Sequence, residues 1–476
     1  MLSFFRTYST LQIISLLALL ALIRLPFLLA PPPLLIPELN WMLVGEQLRN
    51  GNLLYRDIWD SLSPLSALVY WLMDLAFGRS QLAYHIAGTA VGAFQVLYFN
   101  WVTNTRDIYP DRNLIPGLIY ALFLNMSFDC STLSPVLLST TFLLLAFGTL
   151  IKQMERRGAT DEVFEVGFYI SLATLFYLPS ALFILWAVMA LLLYTGASFR
   201  QHSLSLFGFA FPILLTVLYY YMADSLDDFN RNLLASVFRV RQYDLTDFQT
   251  LLASLFLPLA MGSLGVLSLF RQTTRFNNFQ QRCQQIMMLW AVTALLSVAL
   301  MPFLAPMMFI SFVPTLAFFA AYYFQGIRRE LMAEAIFTGV FLFTLLILYQ
   351  GALQFVPRWE LGRLSALQVK PSAIDGQVRQ EKILVLGEDI SPYRYNRAAT
   401  PYLNWDLAKY DLRNLDNYES VISVYDHFRK DPPNYIIDRE KVIEKLFQRA
   451  PALGALYEKT SIEGVYRRKG EARKSV

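Results

Sequence analysis

The chain has 476 residues, of which 55% are hydrophobic and 16% charged, with 37 Phe, 26 Tyr and 8 Trp; mean hydropathy is +0.41. Soluble domains carry about 25% charged residues. The deficit excludes a disordered chain, a coiled coil and an ordinary soluble enzyme, and points to a protein that spans a membrane many times. The net charge of +4, with no long basic run, argues against nucleic acid as a partner. Two cysteines, Cys130 and Cys283, make no disulfide framework, and three histidines with them make a poor zinc set.

The charge is uneven. Residues 358–476 hold 21 of the 40 Lys and Arg and 17 of the 36 Asp and Glu. A transmembrane domain over 1–357 and a water-soluble domain over 358–476, divided near Pro357, are therefore expected; about 120 residues is an ordinary domain size.

In chain order, Arg6 precedes the apolar run Leu11–Ala30. That run is long enough to span and too long for the apolar core of a signal peptide, so it reads as an uncleaved first span with its N-terminus in the cytoplasm. Residues 31–80 form the first outer loop. Pro37 suits a helix start and Gly51 a helix stop, which predicts a short surface helix over Glu38–Arg49. Trp41, Tyr55 and Trp59 suit the membrane interface. Pro64–Gly78 is apolar but short and contains Asp74, so it reads as a helix lying in the outer face.

Ten further spans are expected over 81–103, 113–127, 133–151, 163–178, 180–196, 203–222, 249–270, 286–302, 305–324 and 332–354, giving eleven with the first. With this assignment 12 basic residues fall on the cytoplasmic side and 6 outside, as the positive-inside rule requires. Counting 64–78 as a span would reverse the bias. An odd number of spans places the tail outside. No internal repeat of the inverted-transporter kind is present. In the tail, 382–387, 434–438 and 464–466 read as strands and 418–429 and 439–449 as helices, an α/β pattern.

Candidate chemistry gathers on the outer face. Glu38 follows Pro37 at a helix start, where the helix dipole favours a carboxylate; it reads either as a cap or as a general base. The run Tyr55-Arg56-Asp57-Ile58-Trp59-Asp60 packs two acids, an arginine and two aromatics into one turn, suited to a sugar hydroxyl or a cation, or simply to turn formation. Asp129, in NMSFDCSTLSP, sits between two spans on the same side, as a third acid or as a cap. Arg24 inside the first span, and Arg239 and Arg241 in an outer loop, are positioned to meet a lipid phosphate. His85 and His427 read as structural. No phosphate-binding loop or nucleotide fingerprint is present.

The segment PELNWMLVGEQLRNGNLLYRDIWDSLSPLSALVYWL, following a single N-terminal span, resembles the first outer loop of the GT-C superfamily of integral-membrane glycosyltransferases. It has an acid, a small helix, Gly51-x-x-x-Tyr55-x-Asp57 and Pro64 before an apolar helix. AFGRSQLAYHIAGTAVGAF, the Asp129 region, FLAPMMFISFVPTLAFFAAYY and the tail with KILVLG and PPNYIID extend the likeness over most of the chain, nearest to bacterial mannosyl- and arabinosyltransferase-like members. The resemblance implies a mainly α membrane protein, a bundle of about 11 transmembrane helices with surface helices in the first outer loop, plus a C-terminal soluble α/β domain. It implies a polyprenyl-phosphate-linked sugar donor, the lipid bilayer as a second partner, and a glycan, lipid or protein acceptor outside the inner membrane. Glu38 would be the base, with Asp129 and Asp57 orienting the acceptor. Tyr55, Arg56, Asp60, Arg24, Arg239 and Arg241 would bind substrate. The resemblance fixes no cofactor; a divalent cation, Mg or Mn, would suit such oxygen ligands. The competing readings are a non-catalytic lipid-binding scaffold on the same fold and a transporter.

Overall fold

A computed structural model describes residues 1–155, 160–196, 198–235, 248–270, 276–353, 364–372 and 374–470. The chain forms two compact units, neither continuous in sequence. One comprises Met1–Pro33, Gln81–Leu218 and Val240–Leu367; the other comprises Leu34–Ser80, Tyr219–Arg239 and Gln368–Val476.

The first unit is helical: α1 (Thr10–Leu29), α4 (Gln81–Thr105), α5 (Ile115–Phe123), α6 (Pro135–Glu155), α7 (Asp161–Phe176), α8 (Phe183–Ala190), α9 (Phe199–Met222, whose last turn belongs to the second unit), α11 (Phe248–Phe270), α12 (Asn278–Ser297), α13 (Val313–Gly326) and α14 (Glu330–Leu353). Among the described residues, eight helical stretches are long and apolar enough to cross a membrane. They are Thr10–Leu29, Gln81–Thr105, Pro135–Met154, Phe199–Met222, Phe248–Leu269, Asn278–Leu300, Pro306–Gly326 and Glu330–Leu353. Helical segments stand at all eleven expected places, but three are short. The span expected at 113–127 is a nine-residue helix. At 1.5 Å per residue it covers about 14 Å, half a hydrocarbon core. Pro116 starts it, and the polar stretch Asn125–Ser127 ends the apolar run; all nine of its residues are buried. Asp161–Phe176 and the helical stretch Leu178–Tyr194 also fall short of a full span.

Of the eight, Pro306–Gly326 is the most enclosed, with 83% of its apolar window buried, against 22% for Phe199–Met222. Close approach around it needs small residues. A Cβ on Gly265 would lie 2.0 Å from the Phe319 carbonyl oxygen, so α11 and α13 touch backbone to backbone. Buried indoles find partners: Trp186 donates to the Ile286 carbonyl at 3.0 Å and Trp290 to the Ser311 carbonyl at 2.8 Å, as burial of an N–H demands.

The second unit joins the first outer loop to the tail. It contains α2 (Ile36–Arg49), α3 (Pro64–Phe77), α10 (Leu226–Phe229), α15 (Trp405–Arg413), α16 (Tyr418–Lys430), α17 (Ile443–Arg449) and α18 (Pro451–Gly454). Its strands are β1 (Lys382–Leu386), β2 (Arg397–Ala398), β3 (Tyr435–Asp438), β4 (Tyr457–Lys459) and β5 (Val465–Arg468), in the order β2-β1-β3-β5-β4. β1 lies parallel to β2 and β3, whereas β5 is antiparallel to β3 and β4. The helix expected over 439–449 begins at Ile443. Asp438 at the end of β3 accepts the N–H groups of Glu440, Val442 and Ile443 at 2.9–3.2 Å, so its carboxylate shapes a turn before the helix can start.

Loop and tail share one core. Trp59 packs with Tyr402, Trp405, Leu412, Phe428 and Tyr466. Its N–H donates to the Pro401 carbonyl at 2.8 Å, and its carbonyl accepts from the Asn404 N–H at 3.1 Å. Leu35 forms an antiparallel bridge with Gln368. Arg79 donates to Glu46 and to the carbonyls of Tyr393 and Asn396 at 2.9 and 2.8 Å.

Candidate active site

In the helical unit, the polar stretch Asn125–Ser134 lies between α5 and α6, and all ten of its residues are buried. A short helical turn, Phe128–Ser131, carries Asp129. Three elements hold this turn. From α1, Arg24 donates from Nε to Asn125 Oδ1 at 2.8 Å and from a terminal nitrogen to the Cys130 carbonyl at 3.4 Å. From α4, His85 Nδ1 lies 2.9 Å from Ser131 Oγ, which donates to the Phe128 carbonyl at 2.6 Å. From the start of the stretch Pro306–Gly326, the Met307 N–H donates to Asp129 Oδ2 at 2.9 Å.

Asp129 is 1% exposed. Burial raises its carboxyl to about 6, offset in part by the Met307 N–H. Among the described residues, no Lys or Arg forms an ion pair with it. A carboxylate of this kind can hold or release a proton near neutral pH. Arg24 is also 1% exposed; its hydrogen bonds go to the neutral oxygens of Asn125, Thr89 and Cys130, so its charge is spread over the turn that carries Asp129. The sequence pointed to Arg24 and Asp129 separately. It gave no role to Asn125 or Met307, although the polar interruption NMSFDCSTLSP between two apolar runs was the available signal. His85, read as structural, is a buried ring bonded to Ser131.

In the second unit, Glu38 stands in the first turn of α2 and is 1% exposed. One oxygen accepts the Leu35 N–H at 3.3 Å. Asp60, 3% exposed, accepts from Asn40 Nδ2 and the Leu62 N–H, both at 2.8 Å. Burial pushes its carboxyl up, against those two bonds. Asn40 thereby ties Asp60 to the helix that Glu38 opens.

Tyr55 has φ +72°, a left-handed conformation that bulky residues seldom adopt. Its ring is wholly buried against Tyr220 and Phe229, and its hydroxyl donates to the Leu62 carbonyl at 2.6 Å. Asn232 Nδ2 donates to the Tyr55 carbonyl at 2.8 Å. Asp57 accepts the Leu53 N–H at 3.0 Å, Lys430 Nζ at 2.7 Å and Arg56 at 3.1 Å. Burial raises its carboxyl, but the bonds from Lys430, Arg56 and Leu53 outweigh this and hold it below the ordinary carboxylate value. Arg56 is 45% exposed. Tyr55, Asp57 and Asp60 thus each bind neighbouring backbone, and Lys430 is a partner that no sequence pattern indicated. Arg239 and Arg241 lie outside the described residues.

Among the described residues, no three His, Cys, Asp or Glu side chains converge on one point.

No protein-family model matches the chain, and no curated protein matches its sequence. Solved structures do match. The oligosaccharyltransferase of Archaeoglobus fulgidus in its apo form aligns with a TM-score of 0.51 at 12% identity, over 90% of this chain and 69% of that one. ArnT from Cupriavidus metallidurans bound to undecaprenyl phosphate aligns with a TM-score of 0.49 at 12% identity, over 70% of this chain and 64% of that one. The likeness to the oligosaccharyltransferase is one of fold, and it bears out the resemblance to GT-C glycosyltransferases at that level.

Proposed function

We propose that the chain is an integral-membrane glycosyltransferase that moves a sugar from a polyprenyl-phosphate donor to an acceptor on the extracytoplasmic side. Glu38 is the general base, and Asp129 and Asp57 orient the acceptor. The observation that carries this reading is Asp129: a buried carboxylate, raised to about 6, in a polar turn that a membrane domain must stabilise with Arg24, Asn125 and Ser131. Such groups are costly in a membrane protein and mark functional sites. The oligosaccharyltransferase-like fold supports it, but fold alone does not fix function.

In this reading the acceptor oxygen bonds to the anomeric carbon as the bond from that carbon to the phosphate oxygen breaks. Glu38 takes the acceptor proton. The electron pair leaves on the lipid phosphate, whose developing charge needs cations at the interface; Arg24, Arg239 and Arg241 are assigned that role. The eleven-span topology, with the N-terminus in the cytoplasm and the tail outside, accompanies this reading and rests on the positive-inside count.

The test compares lipid-linked sugars and surface glycans in cells with the wild-type gene, a deletion, and Glu38→Gln at matched protein level. Loss of a proton-transfer group costs about 10²–10⁴ in rate, so Glu38→Gln should lose the same glycan as the deletion. Full restoration by Glu38→Gln would remove Glu38 as base and favour a lipid-binding scaffold.

A further inference from the structure

Helix α3 is inside out for a helix in water. Its buried side carries Ser66, Ala67, Tyr70 and Asp74. Its outward side carries Leu68, Leu72, Leu75 and Phe77, each 48–63% exposed. A helix facing water places apolar residues inward and polar ones outward. Here the outward stripe is entirely apolar, as on a helix whose outer neighbour is acyl chain.

A cationic cluster stands at the end of that stripe. Gly78 closes α3, and the next residue, Arg79, donates to the carbonyls of Tyr393 and Asn396. That anchors the turn 393–396 beside the helix end. Tyr395, within the turn, is 40% exposed. Arg379 lies 5.1 Å and Arg394 5.2 Å from its ring centroid. Two guanidinium groups are thus gathered on one ring, and both arginines are exposed. Among the described residues neither forms an ion pair with a carboxylate. Two like charges held together without an acid repel one another, and an anion bound between them would relieve that repulsion. Arg379 donates from Nε to the Asp375 carbonyl at 2.9 Å, and the terminal N–H groups of a guanidinium stacked on an aromatic face stay in plane to meet a phosphate. Tyrosine and arginine at the edge of an apolar helix face also suit the headgroup layer.

We propose that Arg379 and Arg394, gathered on Tyr395 at the end of the outward apolar stripe of α3, form a site for the phosphate of an anionic membrane lipid. The occupant is the bilayer's own phospholipid. The site requires neither Glu38 nor Asp129 and stands apart from the transferase reading.

The test is native mass spectrometry of the full-length protein in mixed micelles containing dioleoylphosphatidylglycerol or dioleoylphosphatidylcholine. Wild type should retain phosphatidylglycerol in preference to phosphatidylcholine. R379E/R394E should lower phosphatidylglycerol affinity about tenfold or more, since each basic residue near an anionic surface contributes about fivefold. R429E/K441E, which reverses two exposed charges elsewhere on the tail, should retain the preference. If R379E/R394E elutes as an aggregate, Tyr395→Leu replaces it; that change removes the stack and keeps both charges, and should lower affinity about threefold. Equal retention of the two lipids by wild type, or an unchanged preference in the arginine variant, overturns the proposal. Displacement of phosphatidylglycerol by millimolar inorganic phosphate would show a small-anion site and overturn the lipid assignment.

Discussion

Asp129 accepts the Met307 N–H at 2.9 Å from 178 positions away in the chain. One carboxylate thereby satisfies a backbone donor at the start of the most enclosed of the eight spans, and fixes its own turn to that helix. Orphan N–H groups at a helix start need such partners.

Burial of this carboxyl, which the bond only partly offsets, makes stability depend on pH. An unfolded Asp titrates near 3.8 and this one, folded, at about 6. The folded chain holds the proton more tightly. The favourable contribution is therefore complete below about pH 4 and is lost as pH rises through 6, by about 3 kcal/mol. The melting temperature of purified protein, followed from pH 4.5 to 7, should fall across this window, and Asp129→Asn should flatten the fall. An identical slope in Asp129→Asn would assign the titration to another group. If the carboxylate is needed as an anion for transfer, turnover should rise over the same interval in which stability declines.

The seat of the turn makes a second prediction. A Cβ on Gly88 would lie 2.5 Å from the Ser131 carbonyl oxygen, with Thr132 and Leu133 backbone atoms within 2.9 Å. Backbone cannot swing aside, so Gly88→Ala should destabilise the protein by about 1–3 kcal/mol, the usual cost of overpacking. On the same helix, Gly92→Ala should cost less, because its nearest neighbour is the flexible end of Leu124 at 2.9 Å. Thermal unfolding of both variants checks the order; equal costs would mean that α4 yields as a whole.

Much of this architecture was legible in residue pattern. The apolar runs, Pro37 and Pro64 at helix starts, and the alternation in KILVLG all report local physics, and the helices and strands stand where they indicate. Two things were not legible. Helix α5 is cut to nine residues because Asn125 and Ser127 serve the Asp129 turn, a tertiary demand that overrides a run of apolar residues. The partners of the candidate residues are also remote: Lys430 is 373 positions from Asp57 and Met307 is 178 from Asp129. Spacing rules see neighbours within a turn of helix or a strand pair, so they found the acids but not what holds them.

Arg79 links Glu46 of α2 to two tail carbonyls. Glu46 is 6% exposed. Among the described residues, Arg79→Ala leaves that carboxylate with Arg397, at 4.0 Å, as its remaining ion-pair partner. Removing one member of a buried pair costs about 3–5 kcal/mol; with Arg79 about one-fifth exposed, a loss at the lower end is expected. Arg79→Lys should recover only part of it, since an ammonium cannot serve Glu46 and both carbonyls in the same plane. Chemical unfolding, followed by the fluorescence of Trp59 and Trp405 in the shared core, reads this directly.

Asp57 separates a structural from a chemical role. Lys430 is 68% exposed, so Lys430→Ala should cost no more than about 1 kcal/mol. Asp57→Ala also strands the Leu53 N–H and should cost about 1–3 kcal/mol. Asp57→Asn keeps an acceptor for Leu53 and loses the charge facing Lys430 and Arg56. Its stability should therefore lie near that of Lys430→Ala. Glycan transfer by this variant then decides the matter. If Asp57→Asn is folded and inactive, the carboxylate belongs to the chemistry; if it is folded and active, its bonds to Leu53, Arg56 and Lys430 are its whole role, and acceptor orientation falls to Asp129 alone.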